Sequence, residues 1–271
     1  MFDLKTVLLP VDFSARSLEA ARQVKGIARR FRCRLVVLNV VEQRRTELQF
    51  EPGGSSVEEL QSYLCREMRE RPVEYILEPG DPAQIIHQVA RDYRANLIVL
   101  AGHNRKPFED FALGSVTAEV LDSAPCPVLV SLWEERGPAP LFRKILCPVG
   151  LSDSTDVTLD WALQFAHAFH AECDVIHVAA KSDGQEQGYI TEEWLTNAER
   201  GWLDAVKKKL DGCGKVILAS GEIGKAIAAA SADLRSDLLV MGHSRPGNEI
   251  GRVRSLPFIL AHRAPCPVVV V

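Results

Sequence analysis

The pentapeptide Ala124-Pro125-Cys126-Pro127-Val128 recurs as Ala264-Pro265-Cys266-Pro267-Val268. A cysteine between two prolines invites a redox or metal-binding reading. A reactive thiol needs a base or a cation beside it to hold the thiolate, and none is adjacent to Cys126 in sequence. Three other patterns carry residue types capable of chemistry. Gly221-Glu222-Ile223-Gly224-Lys225-Ala226 looks like a phosphate loop, but it lacks the G-x-x-x-x-G-K-S/T spacing and the hydroxyl after the lysine. His167 and His170 stand three apart on an expected helix and could seat a metal, yet no third ligand follows at a recognisable spacing. Gly102-His103-Asn104-Arg105 and Gly242-His243-Ser244-Arg245 each put a cation in a loop, where a small anion could be held. Solvated loop residues inherited by duplication are the plainer account of that pair. No nucleophile–base pair and no metal set is visible, so nothing demands catalysis.

The chain has 271 residues, 46% hydrophobic and 25% charged, with a formal net charge of −4. That composition is ordinary for one large globular domain or two of common size. The negative balance argues against a nucleic-acid partner. No run of about 18 apolar residues predicts a membrane span. Met1-Phe2-Asp3-Leu4-Lys5 enters an apolar run directly, with no basic region ahead of it, so no signal peptide is expected. The seven cysteines are irregularly spaced and form no C-x-x-C. The expectation is a cytoplasmic chain with reduced thiols.

The repeated pentapeptide belongs to a longer repeat. Gly102-His103-Asn104-Arg105 matches Gly242-His243-Ser244-Arg245 at an offset of 140, the same as the pentapeptides. Cys33-Arg34-Leu35-Val36-Val37-Leu38-Asn39-Val40 matches Cys173-Asp174-Val175-Ile176-His177-Val178, and Lys5–Val11 matches Lys144–Val149. A whole domain is duplicated; the period is too long for a solenoid. Glu134–Pro140 is charged and then Pro/Gly-rich, as linkers are. Domains are therefore expected over residues 1–133 and 142–271, joined by 134–141.

Each half reads as alternating strands and helices. In the first, strands are expected at Thr6–Pro10, Leu35–Val41, Val73–Leu77, Leu97–Leu100 and Val128–Leu132. Helices are expected from Ser14, a capping residue, through Phe31, and over Ser56–Arg71, Pro82–Tyr93 and Ser115–Ser123. Such alternation predicts an α/β fold with a parallel sheet and helices on both faces. On this plan the pentapeptide joins the last helix to the last strand. Pro125 stops the helix, Pro127 holds the strand entry extended, and Cys126 is a small residue at a tight turn. Gly221 aligns with Gly80 as a strand-to-helix turn. In the second half a helix is expected over Thr191–Leu210, with Trp194 and Trp202 on one face and Lys207-Lys208-Lys209 at its solvated end.

These pieces resemble the universal stress protein family. In the first half the resemblance lies in LLPVDFSARSLEA at Leu8–Ala20, GDPAQIIHQVARDYRANLIVLAGH at Gly80–His103 and LGSVTAEVLDSAPCPVLV at Leu113–Val130. In the second it lies in Ile145–Thr155, Ser236–Arg245 and His262–Val271. The Arg44–Ser55 and Lys181–Ile190 loops stand outside it. The resemblance implies two tandem doubly wound domains, each a five-stranded parallel sheet in the order 3-2-1-4-5. Ligands of such sheets bind at the carboxyl ends of the strands near the switch point between strands 1 and 4. The family has an ATP-binding class, marked by Gly-x2-Gly-x9-Gly-Ser/Thr after strand 4, and a class that binds no nucleotide.

The resemblance carries a nucleotide site onto the first half in part. Pro10, Val11 and Asp12 close strand 1, and Val40 closes strand 2, where similar domains contact adenine. Gly114, Ser115 and Val116 open the last helix, whose N-terminus favours an anion. The middle glycine is missing in either register. With Gly102 first, Arg105 takes the second place and the spacer is one short. With Ala101 first, Asn104 takes it and the nine-residue spacer is complete. Asn tolerates a left-handed backbone, which favours the second register. In the second half Gly150 stands where Asp12 stands, Arg245 replaces the middle glycine, and Arg254-Ser255 replaces Gly114-Ser115. No ATP site of the family type is expected there.

The reading that follows is a non-catalytic stress-response protein binding ATP or another adenine nucleotide in its first domain only. A module with no nucleotide site and a very slow ATPase are the alternatives. For assembly, Val128-Leu129-Val130 and Val268-Val269-Val270-Val271 are strongly apolar last strands, and family domains pair through such strands. An intramolecular pseudo-two-fold pair is expected, with a homodimer of these pairs left open.

Overall fold

A strand covered on both faces is apolar at nearly every position, because each side chain meets a helix on one side of the sheet or the other. Thr6–Val11 is such a strand and forms β1, with Val7, Leu8 and Leu9 wholly buried. The computed structural model describes residues 2–41, 62, 66, 72–102, 114–131, 142–150, 154–179, 188–243 and 255–271. The chain divides into two units, Met1–Pro140 and Leu141–Val271.

In the first unit β1 is followed by α1 (Ala15–Phe31), β2 (Arg34–Val41), β3 (Val73–Pro79), α2 (Pro82–Asp92), β4 (Leu97–Leu100), α3 (Ser115–Ser123) and β5 (Val128–Val130). Ser14 caps α1 by accepting the Ser17 N–H, and Ala20, Ala21, Val24, Ile27 and Ala28 are its buried stripe. Asp81 caps α2 by accepting the Gln84 N–H, with Pro82 in the first turn. The strand order is β3-β2-β1-β4-β5, every pair parallel, as expected. Of the helix expected at Ser56–Arg71 only Ser62 and Arg66 lie among the described residues, and both are helical.

The second unit repeats the plan: β6 (Lys144–Pro148), α4 (Ser154–Phe169), β7 (Glu172–Ala179), β8 (Gly188–Tyr189), α5 (Asn197–Leu210), β9 (Val216–Ser220), α6 (Ile223–Asp233), β10 (Leu238–Met241), α7 (Leu256–Arg263) and β11 (Val268–Val270). Three expectations are corrected here. The sheet, in the order β11-β10-β6-β7-β9-β8, has a sixth strand, because β8 pairs antiparallel with β9 along its outer edge. The helix expected over Thr191–Leu210 is interrupted. Glu192–Trp194 is a single 3-10 turn, and α5 starts afresh behind Thr196, whose side chain and Glu199 form a reciprocal capping box. Trp194 is therefore 60% exposed and shares no face with Trp202, which packs on Leu195, Leu203 and Leu218. Finally, α4 ends at Phe169, so His170 lies past the helix in a left-handed conformation (φ 55°) and does not continue the face of His167.

Both pentapeptides are joints. Ala124 and Ala264 leave their helices in extended conformation, and the Pro127 and Pro267 carbonyls accept the N–H groups of Ile98 and Leu239. Gly80 (φ 146°) and Gly221 (φ 131°) make matching turns that no other residue type favours, so the Gly221–Ala226 stretch is a turn into α6. Its Lys225 pairs with Glu222. The start of each sheet is tied by one side chain. Asn96 Oδ1 accepts the N–H groups of Lys5 and Thr6, at 2.9 and 3.0 Å. In the second unit Asp237 accepts those of Arg143 and Lys144, at 2.8 and 3.1 Å.

Candidate functional site

In the first unit the switch point falls between β1 and β4, whose chains depart to opposite sides of the sheet. The register pairs Val11 with Asn39 and Leu8 with Ile98. Carried onward, it brings Pro10, Val11 and Asp12, then Val40, then Ala101 and Gly102 to one end of the sheet. Helix α3 joins two parallel strands, so its start must lie at that same end. Gly114, Ser115 and Val116 are thus delivered to the side of the strand tips. Asn104 and Arg105 lie outside the described residues.

Asp12 is the most constrained of these residues. Its Oδ1 accepts the Ser14 N–H at 3.1 Å, the Ser14 hydroxyl at 2.6 Å and the Ser17 hydroxyl at 2.5 Å. Its own N–H donates to Ser17 Oγ at 3.0 Å. Phe13 between them takes φ 58°, which for a bulky residue costs about 1–2 kcal/mol and is held by the bonds around it. Burial works against the charged carboxyl. The Ser14 and Ser17 hydrogen bonds and the Arg16 charge outweigh it, so the carboxyl sits below the ordinary carboxylate range. The group is a charged acceptor with Oδ1 occupied. The sequence reading missed Ser17; the spacing Asp12-Phe13-Ser14-Ala15-Arg16-Ser17 was the available signal. It also missed Asn39, which donates through Nδ2 to the Val11 carbonyl at 2.9 Å and braces the end of β1 against β2.

The glycines behave differently from expectation. A Cβ on Gly102 would stand 1.8 Å from the Ser131 carbonyl oxygen, and the Gly102 N–H donates to Ser131 Oγ at 3.2 Å. This glycine is required by the close passage of the chain leaving β5. Gly114 takes φ −51°, so no left-handed conformation calls for glycine there. It precedes a helix whose start receives no side-chain cap.

At the equivalent point of the second unit, Gly150 is exposed, and open space surrounds where its Cβ would be. The place of Asn39 is taken by His177, whose Nδ1 lies 3.1 Å from the Val149 carbonyl. The space beside Gly242 is filled by Thr158, whose Oγ1 would lie 2.6 Å from a Cβ. Arg245 and Arg254 lie outside the described residues, and α7 begins behind Ser255 with Pro257 in its first turn.

Burial pushes the Cys126 and Cys147 thiols up to about 12 and raises Cys173 as well, which holds these three unreactive. Among the described residues no cluster of three His, Cys, Asp or Glu could hold a metal ion, and no helix is long and apolar enough to cross a membrane.

Comparison with known proteins places this geometry among relatives. The sequence model of the Universal stress protein family matches residues 3–131 and again 141–271. A Staphylococcus epidermidis protein carrying the universal stress protein name is 30% identical over 147 residues, which is 50% of this chain and 88% of that one. A Staphylococcus aureus counterpart is 29% identical over the same shares. In fold, the chain resembles the crystal structure of a universal stress protein from Archaeoglobus fulgidus, with a TM-score of 0.75, 21% identity, and 99% and 98% of the two chains covered. A Pseudomonas aeruginosa structure of the same family name gives a TM-score of 0.67 at 17% identity, covering 99% of this chain and 93% of that one.

Proposed function

The chain belongs to the universal stress protein family and carries its domain twice, and on that premise we propose that it is a non-catalytic cytoplasmic stress-response protein whose first unit takes one adenine nucleotide and whose second takes none. The observation that carries this reading is the contrast between Asp12 and Gly150 at the same point of the two sheets. The hydroxyls of Ser14 and Ser17 load Oδ1 of Asp12, which leaves Oδ2 for an incoming donor. A carboxylate so placed accepts from a ribose hydroxyl or an amino group and repels phosphate. The phosphates then belong at the start of α3, where the N–H groups of Ser115 and Val116 face the anion end of the helix. Gly150 brings only backbone to its site. Six free cysteines among the described residues fit a reducing compartment.

One observation favours a module with no nucleotide site. Gly102 is explained by its packing on Ser131, and its N–H is already engaged there. Calorimetric titration of the whole protein with ATP separates the two readings. One site per chain is expected, lost in both Asp12→Ala and Gly114→Arg with circular dichroism as in the parent. Gly114→Arg should also melt as the parent does, while Asp12→Ala, which removes the acceptor of Ser14 and Ser17, should melt lower. The φ of −51° at Gly114 makes arginine conformationally acceptable there. Two equivalent sites, or unchanged binding in both variants, overturn the asymmetry. No binding, together with no nucleotide released from purified protein, selects the second reading. For assembly, the reading is that the apolar last strands pair antiparallel within the chain, supported by the sequences Val128-Leu129-Val130 and Val268-Val269-Val270.

A further inference from the structure

Duplication gives each unit a side chain that braces the end of its first strand, but the two braces differ in kind. In the first unit it is Asn39, which cannot titrate. In the second it is His177, 6% exposed, with Nδ1 3.1 Å from the Val149 carbonyl. A carbonyl only accepts, so Nδ1 carries a hydrogen. In the neutral ring Nε2 is then a bare lone pair. It is buried with no hydrogen-bond partner, and the group facing it, at 3.6 Å, is Glu199 Oε1. A lone pair set against a carboxylate gains nothing. With a proton on Nε2 the same two atoms become an ion pair.

Glu199 transmits the difference. Its Oε2 accepts both the N–H and the hydroxyl of Thr196, each at 2.7 Å, which is the cap of α5. The groups around the ring are few. Helix α5 brings Glu199 and Trp202, whose ring centroid is 4.9 Å from that of His177. Strand β9 brings the apolar Leu218 alongside, and the end of β6 brings the Val149 carbonyl. Glu199 is the titratable group that Nε2 faces.

We propose that His177 is a proton-operated latch that ties the end of β6 to the first turn of α5 when its ring is charged and releases it when the ring is neutral. Histidine is the side chain suited to such a role, because its ring gains a second donor and a charge together, so the latch closes when Nε2 takes a proton. Its acid limit is Glu199. The Thr196 N–H, then the Thr196 hydroxyl, and His177 hold that carboxyl below its ordinary range against the effect of burial. The inference stands apart from the nucleotide reading, since it concerns only the second unit.

Hydrogen exchange of the full chain from pH 5.5 to 8, corrected for intrinsic rates, tests it, with the imidazole followed by NMR. Protection of the first-turn amides of α5 is expected to rise roughly three- to tenfold toward acid pH, in step with His177 protonation. His177→Asn copies Asn39 and keeps the donor to Val149, so the fold is retained and the pH response should vanish. Glu199→Gln keeps a capping acceptor without charge; there the protection of the first-turn amides should lose its pH dependence. The proposal is overturned if His177→Asn shows the parental pH response, or if the parental ring stays neutral down to pH 5.5.

Discussion

Gly102 reads in sequence as a candidate phosphate-contacting glycine and in structure as a packing requirement. The Ser131 carbonyl stands where a Cβ would be, 1.8 Å away, and it is backbone, which cannot swing aside. Gly102→Ala must part the exits of β4 and β5, and a loss of about 3 kcal/mol in denaturant unfolding is expected. A variant as stable as the parent would return this glycine to the ligand. Asp12 moves the opposite way. Its hydroxyl partners, invisible as a set in the linear chain, make it a fixed and charged acceptor.

At the scale of elements, the two units solve one problem with different side chains. The first strand of each sheet has N–H groups with no neighbour at its start, and a residue ahead of the fourth strand accepts them. Asn96 does this without charge. Asp237 does it as a half-buried carboxylate, and burial raises its pKa despite the N–H groups of Arg143 and Lys144 and the Arg143 charge. A raised folded value means that the contribution of Asp237 to stability is present below the ordinary aspartate range and is lost as pH rises through the folded value. Asp237→Asn, copying Asn96, should melt at pH 7 no lower than the parent and should fall behind it only in acid. Thermal melts at pH 7 and pH 3.5 would show this. A large loss at pH 7 would mean that the charge itself holds the strand starts. The interruption before α5 is also an element-scale feature. Thr196 and Glu199 offer a cap strong enough to start a new helix inside a stretch whose composition reads as one.

For the molecule as a whole, duplication is followed by divergence at matched points: Asp12 against Gly150, Asn39 against His177, Asn96 against Asp237. Joining two copies in one chain also puts each last strand at high effective concentration for the other. On the proposed pairing, the two halves expressed separately should associate when mixed, and sedimentation should report their complex. Halves that are stable monomers without affinity for one another when expressed separately would refute the pairing.

The linear chain alone determined the duplication, the alternation of strand and helix, the capped start of α1 and the role of the repeated pentapeptide. Each of these is local, written in neighbouring residues or in an exact repeat of them. The family resemblance added the strand order, which the structure bears out in the first unit and, with β8 added at the edge, in the second. Tertiary structure decided what depends on meetings between distant residues. A two-residue strand such as β8 has too little pattern to read, and it exists because β9 offers an edge. Gly102 against Ser131, and His177 against Glu199, are joined only once parallel strands and crossing helices bring them level. Side-chain chemistry at that range follows from register and packing, which no window of sequence contains.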